Sequence, residues 1–360
     1  MNGSMSTPFK HRHRFFTILV GLAGLLMCGL ATVSQAQSNT ADELAAFEQA
    51  LAAYREQDYN NAFALFRGLA AAGDADAQTY VALMYAEGQG VDKDMGLALE
   101  WYDRAAEQDH PDAQYALGFM AQKGTEIPRD LETAAKWYRR AAGNGHVDGQ
   151  FELALLYADG QGVPQNDQEA ARWFTQAAEQ KHIHAQNNLA IFYLNGRGLA
   201  KDEKQAAHWF EQAGQQGHVD AQYNLALMYD TGIGVEADAE TAAQWYRRAA
   251  EADLTQAQIA MGLLAYEGKG VEKSAESAAE WFLIAAEQGS GQAQYLLSVL
   301  ASDGKGLRKD PVDAFKWLTL AKARGVTQDA FERKLLGMLS KRQMKKGRKR
   351  AKKWEEDHKR

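Results

Sequence analysis

Tryptophan recurs at Trp101, Trp137, Trp173, Trp209, Trp245, Trp281 and Trp317, seven times at a constant interval of 36 residues. A second column keeps the same interval through Gln78, Gln114, Gln150, Gln186, Gln222, Gln258 and Gln294. A unit of that length is too short for a domain core. It suits two amphipathic helices joined by a turn, which can bury both faces only by stacking on neighbouring pairs. The spacing therefore predicts an all-α solenoid, in which the length of 360 residues counts repeats rather than separate cores.

The unit Val219–Leu254 serves as the type. Ala221, Leu225, Met228 and Tyr229 fall at i, i+4, i+7 and i+8, one face of a first helix, A. Gly232 ends it and Gly234 follows, a pair repeated at Gly88 and Gly90, Gly160 and Gly162, Gly196 and Gly198, Gly268 and Gly270, and Gly304 and Gly306. These glycines follow a helix rather than a strand, so they read as left-handed helix stops and tight turns and not as a phosphate loop. A second helix, B, opens at the column Asp94, Asp130, Asn166, Asp202, Asp238, Ser274 and Asp310, all N-capping residues, with Pro311 at a first helical position. Ala242, Trp245, Tyr246, Ala249 and Ala250 form its apolar stripe. Bulky residues facing small ones predict close helix packing with the tryptophans in the core; the alternative is a ligand platform.

His110, His146, His182 and His218 share the interval, but Asp74 and Ser290 occupy the same column and Pro111 follows His110. The column therefore reads as the N-cap of helix A. Stacked helices stand about 8–10 Å apart, too far for neighbouring imidazoles to share a metal with bonds of about 2 Å. No HExxH, nucleophile elbow or CxxC is present, so no catalytic residue, metal site or cofactor is expected.

The runs Ala221–Tyr229, Gly232–Val235 and Ala242–Ala250 closely resemble the Sel1-like repeat, a 36-residue relative of the tetratricopeptide repeat. The resemblance covers residues 75–326 in seven units. Residues 37–74 read as a degenerate helix pair, where Tyr54, Tyr59, Ala62, Leu65, Phe66 and Ala70 keep the spacing but Leu65 stands in the tryptophan column. The second unit has Gly124-Thr125-Glu126 and lacks the second glycine. The resemblance implies a right-handed α-solenoid acting as a non-enzymatic adaptor, with a protein or peptide held on its concave face.

The two ends differ from the body. Lys10, Arg12 and Arg14 precede an apolar run from Phe15 to Leu30 and a small-x-small site at Ser34-Gln35-Ala36. This order of regions predicts a signal peptide over residues 1–36 and an exported, periplasmic protein; secretion or retention as an N-terminal anchor are the alternatives. Met27 before Cys28 argues against lipidation. Residues 37–340 carry 26 basic and 44 acidic side chains, a balance of −18, whereas residues 341–360 carry 11 and three, a balance of +8. Residues 327–360 read as a basic helical tail that caps the last repeat, with Phe331, Leu335, Met338 and Leu339 on one stripe and Ser340 and Gln343 at capping-box spacing. Lys345, Lys346, Arg348, Lys349, Arg350, Lys352 and Lys353 could instead hold an anionic envelope polymer or lipid headgroups; nucleic acid is not an expected partner.

Alignment with the tetratricopeptide pattern places Tyr115 with Phe119, Phe151 with Leu155, Asn187 with Ile191, and Tyr223 with Leu227 towards the concave face. Bordered by Asp112, Asp148, Asp159, Asp220 and Asp230, this stripe would suit a peptide carrying basic residues. The other reading of the same rings is packing between successive A helices. The expected function is a scaffold of the bacterial cell envelope, with a surface factor binding host or envelope polymers, or an accessory to cell-wall enzymes, as rivals.

Overall fold

The structure, a computed structural model, describes residues 41–124 and 127–358. The expected signal peptide and the Thr125-Glu126 turn lie outside the described residues. Among those described there are 18 α-helices and no strand. They fall into two compact units, one ending at residue 185 and including 197–199, the other holding 186–196 and the chain from 200 onward.

The first unit holds α1 (Ala41–Arg55), α2 (Tyr59–Ala72), α3 (Ala75–Glu87), α4 (Met95–Glu107), α5 (Pro111–Lys123), α6 (Leu131–Gly143), α7 (Val147–Asp159) and α8 (Asp167–Glu179). The second holds most of α9 (Ile183–Asn195), then α10 (Glu203–Gln215), α11 (Val219–Thr231), α12 (Ala239–Glu251), α13 (Thr255–Glu267), α14 (Ala275–Glu287), α15 (Gly291–Asp303), α16 (Pro311–Ala323), α17 (Asp329–Gly337) and α18 (Lys341–Asp357). From α3 to α15 the odd helices are A and from α4 to α16 the even helices are B. Successive helices pack on each other from α1 to α8 and again from α10 to α16, the stacking of an α-solenoid.

Local chemistry sets the ends of these helices. All seven residues of the B-helix column accept a first-turn amide, as Asp238 does from Glu240 and Thr241 at 3.0 and 3.1 Å. Asp74, His110, His146, His182, His218 and Ser290 do the same for helix A, and Leu254 is the exception with no side-chain cap. The first loop glycine, such as Gly232, is the left-handed C-cap.

The core column is not the tryptophan. Trp173, Trp245 and Trp317 are buried, but Trp101, Trp137, Trp209 and Trp281 are only half-buried. The residue after each one fills the interior: Phe66 in the N-terminal pair, then Tyr102, Tyr138, Phe174, Phe210, Tyr246, Phe282 and Leu318, all at or below 2% exposure. Two positions 100° apart on a helix both belong to its apolar stripe, and the smaller ring takes the centre. Half-buried or buried, several tryptophans also lie under a cation, with Arg104, Arg172 and Arg248 at 4.4, 4.1 and 4.4 Å from the rings of Trp101, Trp173 and Trp245.

The glutamine column ties one repeat to the next. The Gln114 Nε2 donates to the Ala106 carbonyl at 3.0 Å, at the end of the preceding B helix, and Gln222 does so to Gly214 at 2.9 Å. The amide oxygen then accepts from the residue 30 positions on: Gln108 to Gln78 at 2.8 Å, Asn144 to Gln114 at 2.9 Å, Gln180 to Gln150 at 2.8 Å and Gln216 to Gln186 at 2.7 Å. From the next repeat on this second bond lapses: the buried Oε1 atoms of Gln222, Gln258 and Gln294 have no hydrogen-bond partner, with Gln288 turned to Asp253 and, at Gln222 alone, an apolar residue, Ala252, at the donor position. An Ala252→Gln substitution restores the donor and is expected to stabilise the protein by about 0.5–1.5 kcal/mol. Urea denaturation reads this directly, and an unchanged midpoint would show that the oxygen is not starved.

The C-terminal helices close the last repeat. Ser340 and Gln343 form the expected capping box, and α18 lays Gly347 and Ala351 against α16. A Cβ on Gly347 would stand 2.8 Å from the Phe315 ring. Trp354 meets Trp317 edge-on at 5.6 Å. Leu335 and Leu339 are buried as expected, but Met338 is exposed, because α17 stops at Gly337 and Met338 falls at its C-cap.

Candidate interaction surface

The N-capping histidines of the first unit bring three groups together at each repeat junction. The Nδ1 of His146 accepts from the Gly149 amide at 3.0 Å and that of His182 from Ala185 at 3.0 Å. A ring that accepts at Nδ1 carries its proton on Nε2 when neutral. That nitrogen faces an acid 34 residues back: His110 on Asp76 at 2.8 Å, His146 on Asp112 at 3.3 Å and His182 on Asp148 at 3.1 Å. The imidazoles also stack on aromatic residues of the preceding A helix, His146 on Tyr115 at 4.4 Å and His182 on Phe151 at 4.5 Å. Burial opposes ionisation of Asp112 and Asp148, but the histidine hydrogen bonds and charges outweigh it and hold both carboxyls below their usual value.

These contacts divide the stripe expected from the tetratricopeptide alignment. Tyr115 is buried between His146 and Tyr138, whose ring is 5.6 Å away, and Asn187 and Ile191 are buried in the second unit. Phe119, Phe151 and Leu155 in the first unit and Tyr223 and Leu227 in the second keep part of their surface open. Tyr223 leans on Tyr246 at 5.5 Å, and the Lys123 ammonium sits 5.2 Å over the Phe119 ring. Of the acids thought to border the stripe, Asp112 and Asp148 are engaged by histidines and Asp230 by Lys269, while burial raises the Asp159 carboxyl.

One acid beside the stripe departs from the repeat pattern. Glu152 stands in a column otherwise occupied by Tyr80, Ala116, Asn188, Asn224, Ala260 and Leu296, so its charge is the departure that could have flagged it. The Tyr138 hydroxyl donates to Gln122 Oε1 at 2.9 Å, and Gln122 Nε2 donates to Glu152 Oε2 at 3.1 Å. Burial raises the Glu152 carboxyl, more than the Gln122 hydrogen bond and the Lys123 charge lower it. A folded-state value above the unfolded one favours folding below the ordinary carboxylate range and loses that contribution as pH rises through the raised value. At neutral pH an ionised Glu152 is therefore a cost in the free protein that a cationic partner would relieve.

The basic tail divides too. Arg350 is turned inward, with Nη1 2.8 Å from Asp310 and 3.4 Å from Asp313, and Arg348 lies 5.8 Å from the Phe315 ring. Lys345, Lys346, Lys349, Lys352 and Lys353 are exposed. Contrary to the expectation that no Ser-x-x-Lys motif is present, that spacing occurs at Ser302 and Lys305. Ser302 is buried, and Lys305 is exposed, donating to the Tyr266 hydroxyl at 3.0 Å, which holds its amine in the charged form rather than as a base. Among the described residues no three His, Cys, Asp or Glu side chains converge as a metal site, and no helix is long and apolar enough to cross a membrane.

The Sel1 repeat family pattern matches seven successive segments, 75–110, 111–146, 147–182, 183–218, 219–254, 255–290 and 291–326. A Sel1 repeat protein from Oxalobacter formigenes is similar in structure, with 30% identity and a TM-score of 0.57 over 67% of this chain and 96% of that one. A protective antigen of uropathogenic Escherichia coli with an SLR fold is 25% identical, with a TM-score of 0.44 over 88% of this chain and 84% of that one. No curated protein matches the chain. Sel1 repeats generally serve as non-catalytic scaffolds for protein–protein interaction. With the family pattern continuous over residues 75–326 and the same capped, glutamine-tied helix pair recurring through them, the chain belongs to the Sel1 repeat family.

Proposed function

We propose that this protein is a non-enzymatic scaffold of the bacterial cell envelope that holds a protein segment bearing a basic side chain against the A helices of its first unit. The observation that carries this reading is the half-buried Glu152, whose charge is disfavoured by its surroundings, beside the part-open Phe119, Phe151 and Leu155. Apolar rings supply contact area, and a desolvated acid rewards one cation in register, so affinity and selectivity come from neighbouring atoms. The N-terminal basic, apolar and small-residue regions support export.

The test uses envelope crosslinking and pull-down with the Phe119→Ala, Leu155→Ala double variant and with Glu152→Gln. Both should keep their helical circular dichroism and lose the partner recovered by the wild-type chain. Glu152→Gln alone should also raise the melting temperature at pH 7, with the gain disappearing towards pH ~4 as the native acid is protonated. Variants that fold and recover the partner undiminished would refute the surface. Mass spectrometry of the mature chain should find its N-terminus at or near Gln37; an intact Phe15–Leu30 segment would refute periplasmic release, and recovery from the medium would favour the secreted alternative.

A further inference from the structure

On α18, at 100° per residue, Arg342, Lys345, Lys346, Lys349, Lys352 and Lys353 fall within an arc of about 120°, and Gly347 and Ala351 lie on the opposite side. The buried pair is the side packed on α16, so the cationic arc faces away from the protein and all six residues are exposed. Glu356 is the one acid in the arc, 3.8 Å from Lys352. No ion pair joins Arg342, Lys345, Lys346, Lys349 or Lys353 to a carboxylate among the described residues. The two functions of the helix are thus separated by rotation: Arg350, Trp354 and Ala351 hold it to the last repeat, and the lysines take no part in holding it.

We propose that this arc is a docking surface for anionic phospholipid headgroups, bringing the C-terminal end of the protein onto a membrane. Over its 17 residues α18 extends about 25 Å. It offers phosphates a row of cations with no apolar side chain among them, so it rests on headgroups by charge and does not insert. The chain chemistry favours a surface over a nucleic acid. Residues 37–340 carry a balance of −18, which repels a long polyanion beyond the helix, whereas a planar surface can be met by the arc alone.

The experiment is co-sedimentation of the full chain with vesicles of phosphatidylglycerol and phosphatidylcholine and with vesicles of phosphatidylcholine alone. Because the Phe15–Leu30 run can enter either vesicle, the quantity read is the ratio of binding to the two. The wild-type chain should favour anionic vesicles and lose the preference as salt rises from about 0.1 M to about 0.5 M. The Lys345→Gln, Lys346→Gln, Lys349→Gln, Lys353→Gln variant should melt with the wild type and lose the preference by about 100-fold or more. A control with Lys181, Lys204, Lys273 and Lys309 changed to Gln makes the same change in net charge and should keep it. Equal binding to both vesicles, an undiminished preference in the quadruple variant, an equal loss in the control, or tighter binding to duplex DNA at equal phosphate would each overturn the proposal.

Discussion

Phe282→Ala is expected to cost about 3–5 kcal/mol, and Trp281→Ala, one residue earlier, roughly half as much. Phe282 is 1% exposed in a core cluster with Leu297, Leu300, Ala285 and Trp317, whereas Trp281 stays half-buried. Phe282 also presses on the helix behind it: a Cβ on Gly262 would stand 2.3 Å from its ring. Gly262→Ala should therefore destabilise the wild-type protein and be tolerated once Phe282 is alanine, a coupling that a double-mutant cycle measures. Solenoid repeats couple mainly to their neighbours, so loss of an interior ring is also expected to broaden or split the urea transition. A Trp281→Ala loss equal to that of Phe282→Ala would return the tryptophans to the centre of the core.

Gly234→Ala is expected to be as damaging, at about 3–5 kcal/mol, while Gly232→Ala costs about 1–2 kcal/mol. Both glycines have φ of +72°, which alone strains an alanine. Their surroundings differ. A Cβ on Gly232 would meet the Ala237 Cβ at 3.3 Å, but one on Gly234 would stand 2.2 Å from the Glu203 carbonyl oxygen at the start of α10. The second glycine is thus the point where one repeat's loop touches the backbone of the repeat before it, and a methyl group there must push the two apart. Equal melting temperatures for the two variants would refute that account.

Some of the candidate site was legible from residue spacing. The histidine column announced itself as a helix cap, because a cap bond reaches only three residues along the chain. Its second partnership, Nε2 on an acid 34 residues earlier, was not legible, since i to i+34 is no interval within one helix. Glu152 shows the same limit. Its place beside Phe151 was visible, but its hydrogen bond from Gln122 of the preceding repeat, itself held by the Tyr138 hydroxyl, was not.

The sequence by itself determined how many described helix pairs follow one another, where each B helix begins and which glycines stop the A helices. Those features rest on interactions within about four residues, and their signals repeat seven times. Tertiary structure alone decided the rotation of each helix about its axis. A period of 36 is satisfied whether Trp281 or Phe282 points inward, and whether Arg350 faces water or Asp310. That rotation follows from how side chains interlock with neighbouring helices, about 15 or more residues away on either side, where neither propensity nor capping reaches.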